Sequence, residues 1–209
     1  MDGVLVDSRP VVERTWRRWA ARHNLSADAM LKIAHGRRTR DTLRILAPEL
    51  ATDSEVAWLD AAELETVEGI LPVPGAAALL ASLPPSRWTI VTSAGRALAA
   101  LRLGVIGIAV PEHAVTAEEI QRGKPAPEGY LLAAERLGAR PADCLVIEDA
   151  PPGIQAGRAA GAHVVAVETT HPREALAGAD FVVPDLRALQ VTVTASGLSI
   201  VVAADRGVA

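Results

Sequence analysis

The chain has 209 residues, half of them hydrophobic, and a net charge of −4. That is enough for one large or two small domains with a full core. There is no basic stripe, no apolar run of membrane-spanning length and no basic leader, so neither nucleic acid nor membrane is an expected partner. A single cysteine, Cys144, lies on a predicted core strand; it excludes an internal disulfide and fits a reducing cytoplasm.

The chain opens MDGVLVDS, an Asp2-Gly3 turn followed by a short extended run, Val4 to Val6. Ser8, Arg9 and Pro10 start a helix whose one face carries Val12, Trp16, Trp19 and His23. Asp7 fits a cap before it. Ser26 begins a second helix and Gly36 ends it. His35 to Leu43, HGRRTRDTL, is a Gly-hinged loop that carries Arg37, Arg38 and Arg40 into a third helix. Thr52 with Glu55 spells a capping box for a fourth, from about Asp53 to Glu68, closed by Gly69. Helix after helix with no strand between them predicts a small helical unit over residues 9–71.

From Pro74 onward the pattern alternates. An Ala/Leu-rich helix precedes a strand, Trp88 to Val91, which ends in Thr92-Ser93-Ala94-Gly95 before another helix. Ala114 to Thr116 is a short strand, Gly123-Lys124-Pro125 a tight loop, and Pro127 to Leu137 a helix closed by Gly138. Cys144 to Ile147 is an apolar run of the kind buried on both faces of a sheet, with Glu148-Asp149 at its carboxyl end. His163 to Val167 and Phe181 to Val183 follow as strands, then a hairpin from Gln190 to Ala195 and Leu198 to Ala203. This alternation predicts an α/β fold with a doubly wound parallel sheet. The sheet domain takes residues 1–8 and 72–209, and the helical unit is inserted as residues 9–71.

Candidate chemistry sits at strand ends, where open α/β sheets bind ligands. Glu148 and Asp149 are adjacent hard oxygen ligands suited to Mg²⁺, or a solvated strand end. Thr92 and Ser93 offer a hydroxyl and backbone N–H groups to a phosphate, or simply cap the next helix. Lys32 and Lys124 are the only lysines among many arginines. Lys124 is either a compact counter-charge or an exposed loop residue. Asp2 is either a general acid–base or part of an ordinary turn. Arg37, Arg38 and Arg40 either read a substrate's phosphate and hydroxyls or form a solvated cluster.

The order of these signals resembles the haloacid dehalogenase superfamily of phosphohydrolases. MDGVLVDS looks like its first motif, Thr92 its second, Lys124 in GKPAPEGY its third and Glu148-Asp149 in EDAPPGIQAGRAAG its fourth. The inserted helices resemble the α-helical cap of the subgroup that contains beta-phosphoglucomutase and the sugar phosphatases. The resemblance implies a Rossmann-like core and Mg²⁺-dependent hydrolysis of a sugar or polyol phosphate through an aspartyl-phosphate. It gives catalytic roles to Asp2, Thr92 and Lys124, phosphate binding to Thr92, Ser93 and Lys124, and the metal to Asp2 (through its carbonyl), Glu148 and Asp149. Arg37 and Arg40 become candidate substrate readers. A phosphosugar mutase or a non-catalytic phosphosugar-binding protein are the alternatives, and a cytoplasmic monomer or weak homodimer is expected. The family's first motif reads Asp-x-Asp-Gly. Asp2 matches the second Asp, so the attacking Asp is expected one residue before Met1, at the end of a buried strand, and the chain as given is expected to be inactive.

Overall fold

The computed structural model describes residues 1–194 and 197–203. The expected extended run at Val4 is instead a tight turn. The N–H groups of Val4, Leu5 and Val6 all aim at the Met1 carbonyl, which is possible because Gly3 takes φ +69°. Only β1 (Val6–Asp7) is extended, and it pairs antiparallel with β2 (Leu71–Pro72). The chain therefore enters and leaves the helical unit through two adjacent strands.

Between them lie α1 (Arg9–Arg22), α2 (Ala27–Ala34), α3 (Thr39–Leu46) and α4 (Asp53–Leu64). Apolar positions at helical spacing give these four a core of their own, built on Trp16, Trp19, Met30, Leu43 and Leu59. The capping box is half formed. Thr52 Oγ1 accepts the Glu55 N–H at 3.3 Å, but the Glu55 carboxylate turns inward. It accepts from Trp19 Nε1 at 2.7 Å and lies 3.0 Å from His23 Nε2. A buried indole N–H needs a partner, and that need takes precedence over the cap. α4 stops at Leu64, short of Glu68.

The remaining elements are α5 (Ala76–Ala81), α6 (Arg96–Val105), α7 (Glu128–Arg136), β3 (Leu145–Glu148), α8 (Pro151–Ala159), β4 (His163–Val167) and β5 (Phe181–Val183), then the hairpin β6 (Leu189–Thr194) and β7 (Gly197–Val202). The hairpin's Ala195 lies outside the described residues. β3, β4 and β5 form a parallel sheet with Val146 opposite Val164 and Ala166 opposite Val182. Cys144 sits half-buried just before β3 rather than on it. The expected strands at Trp88–Val91 and Ala114–Thr116 shrink to one parallel bridge, Val91 to Val115, supported by Thr92 N–H to Val115 O at 2.9 Å and Val115 N–H to Ile90 O at 2.8 Å. Between this pair and the edge of β3 runs an apolar cleft of about 970 Å³, lined by Met1, Leu80, Trp88, Ile90, Leu145 and Ile147 among others.

Candidate active site

A second cavity of about 460 Å³ lies between the helical unit and the carboxyl ends of the strands. Its sheet-side wall carries Asp2, Gly3, Thr92, Ser93, Lys124 and Asp149. Its helical wall carries His35, Arg37, Arg38, Arg40 and Asp60. Of the site residues expected from the sequence, all but Glu148 line this cavity, although more than a hundred residues separate the first from the last.

Glu148 and Asp149 end β3 and are almost fully buried, at 3% and 5% exposure. The Lys124 ammonium and the Tyr130 hydroxyl both bind the same oxygen of Glu148. Glu148 therefore stands behind the cavity wall as the partner of Lys124. Burial pushes its carboxyl up, but the Lys124 charge and the Met1 amine outweigh that and hold it below the ordinary glutamate range. Asp149 behaves oppositely. Burial, then the neighbouring Glu148 charge, raise its carboxyl to about 7, despite a bond from Thr170 Oγ1 at 2.5 Å. Two glycines make room for the pair: a Cβ at Gly3 would collide with the Asp149 carboxylate, and one at Gly153 with Glu148.

Asp2 Oδ1 accepts from Ser8 Oγ at 2.6 Å and from Arg102 at 2.8 Å. Burial raises its carboxyl, and the Arg102 and Met1 charges more than reverse that, leaving it below the ordinary aspartate range. Arg102 is 3% exposed. Its other nitrogen binds Glu63 of α4 at 2.7 Å, which ties the helical unit to the first motif. One guanidinium serves two carboxylates here. Burial raises Glu63, the Arg102 charge only partly offsets this, and Asp2 and Asp60 push it further up. Arg102 and Glu63 escaped the sequence reading. The signal was present: both lie on the buried stripes of their helices, among Leu98, Ala99 and Leu103 on α6 and Leu59 and Ala62 on α4.

Thr92 Oγ1 accepts the Ala94 N–H at 3.1 Å, as a helix-leading hydroxyl does. The Ser93 hydroxyl donates to the Gly36 carbonyl at 3.1 Å, so it joins the helical loop to the sheet and leaves its backbone N–H for a ligand. Arg38 spans the two units, binding Asp41 at 2.7 Å and the Ile120 and Gln121 carbonyls at 3.1 and 3.0 Å. Arg40 is held outward by Asp53 at 2.5 Å. Arg37 donates to the Ile33 carbonyl at 3.1 Å and still lines the cavity.

Asp149, unlike Glu148, lines the cavity. A buried carboxyl that resists ionisation beside a second acid is an arrangement a divalent cation relieves, and Mg²⁺ needs only one or two carboxylates beside its waters. Among the described residues, no cluster of three acidic, histidine or cysteine side chains is arranged around a metal. The donor set thus fits a hydrated hard cation rather than a closed cage.

A strand–turn–helix core, an inserted helical unit and strand-end carboxylates facing a lysine define a class of hydrolase. The chain matches the haloacid dehalogenase-like hydrolases over residues 1–161 and belongs to that family. Hexitol phosphatase A of Escherichia coli K12 is 42% identical over 202 residues, 94% of each chain. Glycerol-1-phosphate phosphohydrolase 2 of Saccharomyces cerevisiae is 32% identical, covering 91% of this chain and 82% of its own. A solved hydrolase from Pseudomonas syringae matches with a TM-score of 0.79 at 28% identity, over 88% of this chain and 91% of that one.

Proposed function

We propose that this protein is a Mg²⁺-dependent phosphatase of sugar or polyol monophosphates, with residues 9–71 acting as its cap. The observation that carries the reading is the convergence of Lys124, Asp149, Thr92 and Asp2 on one cavity under the helical unit. Similarity to phosphatases of hexitol and glycerol phosphates supports it. Thr92 Oγ1 and the Ser93 N–H hold the phosphoryl oxygens. Lys124, fixed by Glu148, supplies a compact positive charge at the transferring group. Asp149 and the Asp2 carbonyl would hold Mg²⁺, and Glu148, expected beside them, would reach it only by loosening its bond to Lys124; the metal would neutralise phosphate charge. Asp2 protonates the leaving oxygen and later takes a proton from water, its carboxyl aimed by Ser8 and Arg102. Arg37 meets the substrate from the cap, and Arg40 does so only by leaving Asp53.

The attacking carboxylate of this mechanism belongs to an aspartate that ends an apolar strand seated in the cleft between Trp88–Val91 and β3. β3 pairs with β4 and Val91 bridges to Val115, which leaves their facing edges for such a strand, and the lining between them is mostly apolar. That aspartate attacks phosphorus and the alcohol leaves, giving an aspartyl-phosphate that water then cleaves. The test is to express the 209-residue chain with and without the in-frame upstream coding sequence and to measure phosphate release from hexitol phosphates. Turnover is expected only with an upstream strand ending in aspartate. Clear Mg²⁺-dependent turnover by the 209 residues alone overturns this assignment of the nucleophile.

A further inference from the structure

The cavity also carries groups that the hydrolytic reading leaves unused. Asp60 of α4 and Glu118, two residues past Thr116, both line it. Asp60 accepts one bond, from Thr39 Oγ1 at 3.1 Å, and Glu118 accepts the Arg96 N–H at 2.9 Å. Among the described residues, no ion pair involves either carboxylate. They sense each other, since Glu118 adds to the burial that pushes the Asp60 carboxyl up. A separate feature marks the same cavity. Thr42 of α3 is fully buried and lines the cavity, and its hydroxyl has no hydrogen-bond partner. Leaving a buried hydroxyl unpaired is costly, so a polar ligand group in reach would be favoured.

The nearby cations are paired with other carboxylates, and only their charges reach these two, Arg96 acting on Glu118 and Arg40 on Asp60. Arg40 is taken by Asp53, Arg38 by Asp41, and Arg102 by Asp2 and Glu63. The Arg37 charge acts on His171, whose ring lies 3.2 Å from the Asp149 carbonyl.

We propose that Asp60, Glu118 and Thr42 form a specificity subsite that reads the hydroxyls of an uncharged polyol tail and rejects a second anionic group. The inference rests on the phosphatase reading and sharpens it. Carboxylates accept from substrate O–H groups, and the threonine hydroxyl both donates and accepts. A second phosphate or a terminal carboxylate would face two like charges at a partly desolvated wall. The site therefore takes monophosphates of neutral sugars and polyols and disfavours bisphosphates, including any that a phosphosugar mutase must hold.

The experiment is calorimetric titration of the full chain, in Mg²⁺ at mildly alkaline pH, with sorbitol 6-phosphate, 6-phosphogluconate and inorganic phosphate. Should the chain turn the esters over, the same ratio is read from kcat/KM. Sorbitol 6-phosphate is expected to bind about tenfold tighter than 6-phosphogluconate. Asp60→Asn and Glu118→Gln should each shrink that ratio by roughly threefold or more and leave inorganic phosphate unchanged. Thr42→Val should weaken sorbitol 6-phosphate several-fold without affecting phosphate. An unchanged ratio in both charge variants, with phosphate still bound, overturns the subsite alone. Failure of the unaltered chain to bind phosphate overturns the phosphatase reading and this inference with it.

Discussion

The helical unit and the sheet unit close their cores in different ways. The helical unit buries Trp16, Trp19, Leu43 and Leu59 against one another within about fifty residues of sequence. Each of its helices satisfies its own backbone, so packing only has to bring apolar stripes together. The sheet unit satisfies its backbone through neighbours that are distant in sequence. β3, β4 and β5 pair fully, whereas Trp88–Val91 and Ala114–Thr116 are reduced to one bridge beside an apolar cleft. The difference teaches where this molecule is vulnerable. Disturbing the helical unit costs packing, whereas disturbing the sheet edge moves the charged groups that the chemistry needs.

The largest effect should come from the sheet side. In the strand-completed form, Lys124→Ala should lower kcat by about 10²- to 10³-fold, as loss of a fixed transition-state charge does. Lys124→Arg should be nearly as poor, because a planar fork does not replace a point charge. Near-normal kinetics in both variants would reduce Lys124 to a structural partner of Glu148.

On the helical side the expected loss is stability. Trp19→Ala removes a fully buried indole and should cost about 3–5 kcal/mol. The fluorescence of the remaining cap tryptophans should then report a transition below that of the sheet unit. A single transition seen by all probes would show that the two cores unfold as one.

The smallest effect contrasts pH and metal at Asp149. Its carboxyl titrates near 7 in the folded protein, against 3.8 ordinarily. The folded state binds the extra proton, so stability falls as pH rises from about 4 to 7, and the penalty is fully present above that. Mg²⁺ stabilises the ionised form, so it should raise Tm by a few degrees at pH 8 and by less at pH 5. Asp149→Asn should abolish the difference. Equal metal stabilisation at both pH values would place the cation elsewhere.

Much of this was legible in the sequence because it is written in local patterns. Helical spacing showed the four cap helices, and an apolar run ending in Glu148-Asp149 showed β3. The order of Asp2-Gly3, Thr92, Lys124 and the acidic pair showed the family. What the sequence did not show depends on which groups meet. Val4–Val6 reads as a short extended run, but the Met1 carbonyl gathers its N–H groups into a turn. Glu55 has the spacing of a capping box and spends its carboxylate on the Trp19 indole. Arg102 and Glu63 read as ordinary helix charges until folding buries them against Asp2. The sequence by itself determined the helices, the strand ends and the residue types of the site, since period, turn chemistry and order act over short spans. The tertiary structure alone decided which carboxylate faces Lys124, which one lines the cavity and which arginines are already paired. Those outcomes are set by burial and by charges a few ångströms away, and such neighbours come from parts of the chain far apart in sequence.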